Sequence, residues 1–113
     1  MANNIISQRK KLLFVCSRNQ WRSPTAEKVY SQKGFDTRSA GTSPRARRTV
    51  SANDVRWADC IFVMEKKHKQ RLSATFARLL EYKKIVIMDI PDEYQYMDAE
   101  LVEILKDSVE CHL

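Results

Sequence analysis

The sequence predicts an α/β protein of three layers, in which a four-stranded parallel sheet carries helices on both faces. Short apolar runs alternate with helical patterns in the order β-α-β-α-β-α-β-α, which is typical of a parallel sheet joined by crossover helices. The apolar runs are largely continuous rather than alternating, as expected for strands buried on both sides. A chain of 113 residues is long enough for one such domain, spanning residues 1–113.

The first half of the chain predicts two strands and two helices after a polar tail over residues 1–9. Pro24 suits the first turn of the first helix and Gly34 its end. Ser51 is the expected cap of the second helix, with Asp54 at its third helical position. The predicted elements are a strand over Lys11–Cys16, a helix over Arg22–Lys33, a strand over Phe35–Ser39, and a helix over Ser51–Trp57.

The second half predicts two further strands and two longer helices. Apolar residues recur at helical spacing in both helical segments, as in amphipathic helices that pack on a sheet. We expect a strand over Asp59–Met64, a helix over Lys66–Leu80, a strand over Lys84–Met88, a loop over Asp89–Tyr96 and a final helix over Met97–Cys111.

Charge is distributed unevenly along the chain. Residues 1–88 hold 19 Lys and Arg against six Asp and Glu, whereas residues 89–113 hold one Lys against eight acidic residues. A basic body of this kind favours an anionic substrate or a polyanionic partner, although a solvated surface explains it equally well. No apolar run reaches the length of a membrane helix, and we expect a cytoplasmic protein with no membrane partner.

The three cysteines, Cys16, Cys60 and Cys111, are too widely spaced for a metal motif, and their odd number favours free thiols. We expect Cys60 in the core, His68 on a solvated helix face and His112 in a frayed tail. The sequence offers no cluster of His and carboxylates, so no metal and no cofactor are expected.

The loop after the first predicted strand combines a nucleophile with an anion cradle. Residues 16–23 read Cys-Ser-Arg-Asn-Gln-Trp-Arg-Ser, and a helical pattern starts at their end. Such a loop lies at the carboxyl ends of the strands, where open α/β sheets bind ligands, and its N–H groups can all point at one anion. The same field favours a thiolate at Cys16, and the guanidinium of Arg22 can donate to two phosphate oxygens.

With these residues the chain resembles the low-molecular-weight protein tyrosine phosphatase family, whose loop is Cys, five residues, Arg and Ser. The resemblance covers roughly residues 10–110, and implies the flavodoxin-like strand order 2-1-3-4. It also implies a phosphatase that hydrolyses aryl phosphate monoesters through a phosphocysteine intermediate. Further similar residues and segments are Asn19, Pro24, Ala26, Glu27, Ser39–Thr42, Ala58–Met64 and Ile90–Tyr94.

The resemblance implies a role for each catalytic residue. Cys16 would attack phosphorus, Arg22 would bind the phosphoryl oxygens, and Asp92 would protonate the leaving oxygen. Asp89 stays open as the alternative acid. The residues expected to bind the substrate or its phosphate are Ser17, Arg18, Asn19, Gln20, Trp21, Ser23 and Tyr94, with Trp21 and Tyr94 flanking the substrate ring.

Two of these residues are also expected to order the loop itself. Ser23 would donate a hydrogen bond to the thiolate, and Asn19 would brace the loop through its side chain. Ser39, at the end of the second strand, is the candidate partner of Asn19, although a strand-end serine is more often a simple cap.

Three positions depart from the family pattern: Arg18 stands where the family has Gly, Trp21 where it often has a second Cys, and Glu93 where it usually has Pro. A residue other than glycine at position 18 must tolerate whatever backbone angle the loop requires. The roles of Arg18 and of the basic segment Arg45–Arg48 stay open.

Other functions remain open on the sequence. The basic body suggests a phosphatase for nucleotide or RNA phosphate, and the loop could also serve an arsenate reductase, which needs resolving cysteines near Cys16. A non-catalytic phosphate or nucleic-acid binding module is less consistent with the complete set of nucleophile, arginine and acid. The expected partner is a phosphotyrosine protein or another phosphomonoester, and nucleic acid is less favoured.

Overall fold

The computed structural model of the protein describes residues 10–113, so the polar tail expected over residues 1–9 lies outside the described residues. Strands and helices alternate along this part of the chain. They are β1 (Lys11–Cys16), α1 (Arg22–Gln32), β2 (Asp36–Gly41), α2 (Ala52–Trp57), β3 (Cys60–Val63), α3 (Lys66–Leu80), β4 (Lys84–Ile87) and α4 (Ala99–Val109), followed by a 3₁₀ turn over Glu110–His112.

The four strands form one parallel sheet in the order β2-β1-β3-β4, which confirms the expected architecture and strand order. The register places Cys16 opposite Gly41 and Val15 opposite Val63, and Val63 is in turn opposite Ile87. All four strands therefore end at the same edge of the sheet. The segments that follow β1, β2, β3 and β4 are brought together at this edge, which we call the carboxyl edge.

Helices cover both faces of the sheet. On one face, α1 and α4 pack over Phe14 and Phe62, whose rings stack at a centroid distance of 5.3 Å. On the other face, α2 and α3 cover a second apolar layer that includes Leu13 and Ile61. Leu12, Leu13, Phe14 and Val15 are all fully buried, because successive strand residues point to opposite faces and both faces are covered.

Two predicted elements, the second strand and the last helix, have boundaries that are wrong by more than one residue. The second strand runs two residues further than Ser39, to Gly41, because pairing with β1 continues to Cys16. The last helix starts at Ala99 rather than Met97, since Met97 has a left-handed φ of 61° and the side chain of Asp98 caps the helix by accepting from the Glu100 N–H. It ends at Val109, and residues 110–112 tighten into the 3₁₀ turn.

Local signals at two helix ends are confirmed. The Ser51 hydroxyl accepts from the Asp54 N–H while the Asp54 carboxylate accepts from the Ser51 N–H, which is the reciprocal capping arrangement. Gly34, just after α1, has a φ of +97° that few other residues adopt. Across residues 10–113, none of the helices has the length and apolarity needed to cross a membrane.

Candidate active site

The loop over residues 16–23, which we call the phosphate loop, joins β1 to α1 at the carboxyl edge. Cys16 is the last residue of β1, and its Sγ lies 3.0 Å from the Ser23 Oγ in the first turn of α1. Ser23 Oγ already accepts a hydrogen bond from the Asn19 side chain. The Ser23 hydroxyl proton has two acceptors within reach, the Cys16 sulfur at 3.0 Å and the Ala40 carbonyl oxygen at 3.4 Å, and its donation to the sulfur stays a prediction.

Asn19 braces the phosphate loop from inside. It is 1 % exposed and has a left-handed φ of 55°, a conformation that Asn tolerates better than most residues. Its Nδ2 donates to Ser23 Oγ at 3.0 Å and to Ser39 Oγ at 2.9 Å, and Ser39 in turn donates to a Glu27 carboxylate oxygen at 2.6 Å. The expected contact between Asn19 and Ser39 is confirmed, and it ties the loop to β2 and α1.

Gly41 allows the phosphate loop to approach the end of β2. A Cβ at this position would lie 2.6 Å from the Ser17 carbonyl oxygen and 2.5 Å from the Ala46 Cβ. The next segment then hydrogen-bonds along the loop, with the N–H groups of Thr42, Ser43 and Arg47 donating to the carbonyls of residues 16, 17 and 18. Any side chain at position 41 would force these two segments apart.

Arg22 is buried and lines the same small pocket as Cys16, with 2 % of its side chain exposed. Its Nη1 donates to a Glu65 carboxylate oxygen at 2.5 Å and to the Ile90 carbonyl at 2.8 Å. Within residues 10–113, no hydrogen bond occupies Nε or Nη2. One end of the guanidinium is therefore anchored while the other end keeps two donors, in the geometry that suits bidentate binding of an oxyanion.

A small pocket brings three of the predicted catalytic residues together. We call it the nucleophile pocket; it is lined by Cys16, Arg18, Gln20, Trp21, Arg22 and Asp92. An Asp92 carboxylate oxygen lies 3.7 Å from the Arg22 Nε, and the Asp92 side chain is 55 % exposed. The pocket thus contains a thiol, an anchored guanidinium and a carboxylate that solvent or a substrate can reach.

The rival acid and one predicted substrate contact lie elsewhere. Asp89 has a left-handed φ of 55°, is exposed and does not line the nucleophile pocket. Tyr94 is half-buried against the core of the α1 and α4 face, and its hydroxyl donates to a Glu100 carboxylate oxygen at 2.6 Å. This hydrogen bond, with smaller contributions from burial and nearby acids, raises the pKa of Tyr94 to about 12.

Two residues that contact the site, Glu65 and His68, were not predicted from the sequence as site residues. Glu65 follows β3, so the carboxyl-edge argument that located the phosphate loop could also have located it. His68 was expected on a solvated helix face, which is wrong, because it is fully buried. Its Nδ1 accepts from the Glu65 N–H at 3.0 Å and its Nε2 lies 2.8 Å from the Ser17 Oγ, so the neutral ring carries its proton on Nε2 and donates to Ser17.

The charges around Arg22 set the ionisation of both residues. Burial disfavours the Glu65 carboxylate, but the hydrogen bond and charge of Arg22 outweigh it and lower the pKa of Glu65. Burial, reinforced by the positive charge of Arg22, lowers the pKa of His68 to about 4. At neutral pH the site therefore contains an ion pair next to a neutral imidazole.

The backbone angle of Arg18 and the contacts of Arg48 show how two arginines near the phosphate loop are accommodated. Arg18 has an ordinary negative φ, since Asn19, Asp89 and Met97 are the residues other than glycine with positive φ in the described part of the chain. In the basic segment, Arg48 differs from its neighbours: it donates to the Ser39 carbonyl at 2.8 Å and pairs with the buried Asp54. Arg48 thus supports the end of β2, and the phosphate loop accommodates Arg18 without backbone strain.

The cysteines and acidic residues do not assemble into another site. Cys16, Cys60 and Cys111 are free thiols, and Cys60 is buried as expected, whereas His112 lies in the 3₁₀ turn with its ring edge-on to Phe62. Among residues 10–113 there is no group of three or more His, Cys, Asp or Glu side chains that could hold a metal ion.

No family model and no curated protein matches the sequence, but solved structures do match the fold. One is a low-molecular-weight protein tyrosine phosphatase from T. tengcongensis, with 21 % identity, a TM-score of 0.69, and coverage of 92 % of this chain and 99 % of that one. Another is Wzb from Vibrio vulnificus in complex with benzylphosphonate, with 20 % identity, a TM-score of 0.73, and coverage of 91 % and 96 %.

A third similar structure is the YwlE arginine phosphatase from Geobacillus stearothermophilus, with 20 % identity, a TM-score of 0.68, and coverage of 90 % of this chain and 86 % of that one. Each of the three matches covers at least 90 % of this chain. Together with the strand order and the position of the phosphate loop, they show that this chain has the fold of the low-molecular-weight protein tyrosine phosphatases.

Proposed function

We propose that this protein is a cysteine-dependent phosphatase that hydrolyses aryl phosphate monoesters, with phosphotyrosine in proteins as its substrate class. The observation that carries the proposal is the nucleophile pocket, where Cys16, Arg22 and Asp92 line one small space. Cys16 and Arg22 lie near the two ends of the phosphate loop, and Asp92 comes from the distant segment after β4. A structural role for each alone would not require them to face the same cavity.

In the first step, the Cys16 thiolate attacks phosphorus and the bond to the phenol oxygen breaks. Nε and Nη2 of Arg22, with the N–H groups of the phosphate loop, bind the equatorial oxygens where transition-state charge develops. Asp92 transfers its proton to the leaving oxygen, so a neutral phenol departs and phosphate stays on sulfur. The Ser23 hydroxyl stabilises the thiolate before attack and after release.

In the second step, water attacks the phosphocysteine. The Asp92 carboxylate, left without its proton by the first step, accepts one from the water as the new oxygen–phosphorus bond forms. The sulfur–phosphorus bond breaks, which releases inorganic phosphate and restores the thiolate. Asp92 is again protonated, so the cycle closes without a metal or an external base.

An aryl substrate suits the walls of the pocket. Trp21 is 43 % exposed and lines the nucleophile pocket next to Gln20, where its ring could lie against the phenyl group of phosphotyrosine. Tyr94 donates its hydroxyl proton to Glu100 and packs against the core. In this position it would hold the segment that carries Asp92.

The arsenate reductase alternative is disfavoured by the positions of the other thiols. Cys60 starts β3 and pairs with Leu12, four residues before Cys16, which corresponds to roughly 13 Å along the strand. A disulfide requires Cα atoms within about 7 Å. Cys111 lies in the 3₁₀ turn next to His112, whose carbonyl oxygen accepts a hydrogen bond from Lys84 at the start of β4. Cys111 is therefore also at the edge of the sheet opposite the carboxyl edge.

The test is a set of phosphorylated substrates offered at equal concentration to the protein and to its Cys16→Ser variant. The substrates are an aryl phosphate, phosphotyrosine, phosphoserine, a nucleotide and, because one similar structure is an arginine phosphatase, phosphoarginine. We expect hydrolysis of the aryl phosphate and phosphotyrosine, and loss of essentially all turnover in Cys16→Ser.

Retained phosphate or vanadate binding by Cys16→Ser would show that the variant is folded and that its loss is chemical. Substantial residual activity in that variant would contradict the phosphocysteine mechanism. Faster hydrolysis of phosphoarginine or of the nucleotide than of phosphotyrosine would retain the mechanism and change the substrate class.

A further inference from the structure

Beside the nucleophile pocket lies a second, larger depression of about 430 Å³. The phosphate loop contributes Ser17 to it, the segment after β2 contributes Thr42, Ser43 and Pro44, and α3 contributes Lys67, His68, Gln70 and Arg71. We call this depression the basic groove. None of these lining residues is acidic. The two cations, Lys67 and Arg71, are four residues apart on α3, so they lie side by side on one wall of the groove.

The cations of the basic groove have no partners in the described part of the chain. Lys67 and Arg71 are both exposed, and neither side chain forms a hydrogen bond or salt bridge with any residue in 10–113. By contrast, Arg38 and Arg48 pair with Asp54, and Arg22 with Glu65 and Asp92. Among these acidic groups, Glu65 also feels the charge of Lys67, but its direct hydrogen bond is to Arg22, so the two groove cations keep no hydrogen-bonded acidic partner.

The basic groove is joined to the nucleophile pocket through the residues next to Cys16. Ser17, which follows the nucleophile, lines the groove and accepts from His68 on its floor. The Ser43 N–H donates to the Ser17 carbonyl at 3.0 Å, so the groove wall is hydrogen-bonded to the phosphate loop itself. A substrate segment that extends from the nucleophile pocket past Ser17 would reach this groove.

We infer that the basic groove binds carboxylate side chains that flank the phosphorylated residue of a protein substrate. The inference rests on the proposed function and specifies its substrate class as phosphotyrosine within an acidic segment. Two neighbouring cations without a hydrogen-bonded acidic partner match the carboxylates of such a segment. Nucleic acid fits less well, because the aromatic side chain among the lining residues, that of His68, is fully buried and hydrogen-bonded at both ring nitrogens, so it is not available for a base to stack on.

The experiment compares two phosphotyrosine peptides of equal length, one with Glu on both sides of the phosphotyrosine and one with Gln at the same positions. A Lys67→Gln and Arg71→Gln double variant removes the groove cations. The matched control is a Lys69→Gln and Arg78→Gln double variant. Both control residues are exposed on α3 and outside the groove, so the two variants lose the same charge from the same helix.

We expect the acidic peptide to have the higher kcat/KM with the unaltered protein. The groove variant should lower kcat/KM for that peptide roughly three- to tenfold, mainly through KM, as expected for two partly exposed ion pairs. The neutral peptide and a small aryl phosphate should change by less than twofold. The control variant should leave all three substrates within about twofold, because the effect depends on position and not on net charge alone.

Equal kcat/KM for the two peptides in the unaltered protein would overturn the inference, and so would equal losses in the groove and control variants. Stronger inhibition by a single-stranded oligonucleotide than by an unphosphorylated acidic peptide of equal charge, lost in the groove variant, would assign the groove to nucleic acid instead.

Failure of the proposed function is recognised separately, as absence of aryl phosphate hydrolysis. In that case the groove is judged by binding alone. The fluorescence anisotropy of a labelled acidic peptide would be measured with Cys16→Ser, with and without the Lys67→Gln and Arg71→Gln changes. Tighter binding of the acidic than of the neutral peptide, abolished by the two changes, would support the groove, and equal binding would overturn it.

Discussion

At the level of single residues, the position of two aspartates in one loop determines which can serve as the acid. Asp92 lines the nucleophile pocket and contacts Arg22, whereas Asp89, three residues earlier, lies outside it. Under the proposed mechanism, Asp92→Asn should lower kcat by about 10²–10⁴ for substrates with poor leaving groups. The loss should shrink as the pKa of the leaving phenol falls, because a good leaving group needs less protonation.

The matched control is Asp89→Asn, which should keep kcat within about twofold, since that carboxylate faces solvent. A series of aryl phosphates with graded phenol pKa values provides the measurement. A larger loss in Asp89→Asn, or a loss in Asp92→Asn that is independent of the leaving group, would mean that Asp92 is not the acid.

His68 makes the stability of the fold depend on pH. Its folded pKa of about 4 lies below the ordinary value of 6.5, so the unfolded chain binds the proton more readily. The contribution of His68 to the free energy of unfolding is then fully present above about pH 6.5 and is lost as the pH drops towards 4. At pH 5, about 1.5 units below the ordinary pKa of 6.5 and still above the folded pKa, the loss is about 2 kcal/mol, since each pH unit in this window costs about 1.4 kcal/mol.

Urea unfolding at pH 7 and pH 5 measures this loss, and a His68→Gln variant should show a smaller difference between the two pH values. The charged neighbours of His68 act in both directions, since Arg22 and Lys67 lower its pKa while Glu65 and Asp92 raise it. Identical pH dependence in the two proteins would assign the loss of stability to other groups.

At the level of elements, the close approach of β2 to the phosphate loop depends on Gly41. An alanine there would place its Cβ 2.6 Å from the Ser17 carbonyl oxygen, so the loop must shift or the pairing of β1 with β2 must loosen. We expect Gly41→Ala to cost about 1–3 kcal/mol of stability, as for other overpacked sites, and to reduce turnover of an aryl phosphate strongly.

Gly34→Ala is the matched control for Gly41→Ala. Its Cβ would meet nothing within 4 Å, but its φ of +97° is unfavourable for alanine, so it should cost about 1 kcal/mol of stability. Its activity should be unchanged, because α1 ends far from the phosphate loop. Thermal unfolding and kcat/KM of both variants separate the two effects, and equal activity losses would show that Gly41 acts only through stability.

At the level of the whole molecule, the sheet separates the nucleophile from the other thiols. Cys16 lies at the carboxyl edge, whereas Cys60 begins β3 at the opposite edge and Cys111 lies near the start of β4. Under the proposed mechanism, peroxide should therefore abolish activity by oxidising Cys16 without forming an internal disulfide. The sulfenic acid would then cyclise onto a backbone nitrogen or proceed to irreversible states.

Peptide mass spectrometry after peroxide treatment, under non-reducing conditions, identifies the products. The expected products are sulfenic, sulfenamide or sulfinic forms of Cys16. A disulfide from Cys16 to Cys60 or Cys111, with activity fully restored by thiol, would contradict this separation and favour the arsenate reductase reading.

Much of the fold follows from the sequence alone, because local patterns decide it. The predicted bounds of Lys11–Cys16 and Lys66–Leu80 are confirmed to the residue, since a continuous apolar run and a helical repeat each end at clear polar signals. The contact between Asn19 and Ser39 is also confirmed. The phosphate loop could be recognised because its residues are contiguous and carry their own spacing.

The tertiary structure decided the contacts that join distant segments. Glu65 lies 43 residues from Arg22 and His68 lies 51 residues from Ser17. The position of Glu65 just after β3 is its one sequence signal, and no local pattern distinguishes His68 from the other polar residues on α3. Parallel strands end at one edge of the sheet, so the segments after β1, β3 and β4 meet there regardless of their separation in sequence. This convergence anchors one end of Arg22 and places Asp92 rather than Asp89 in the nucleophile pocket. It also buries the imidazole of His68, which the sequence predicted to be in solvent.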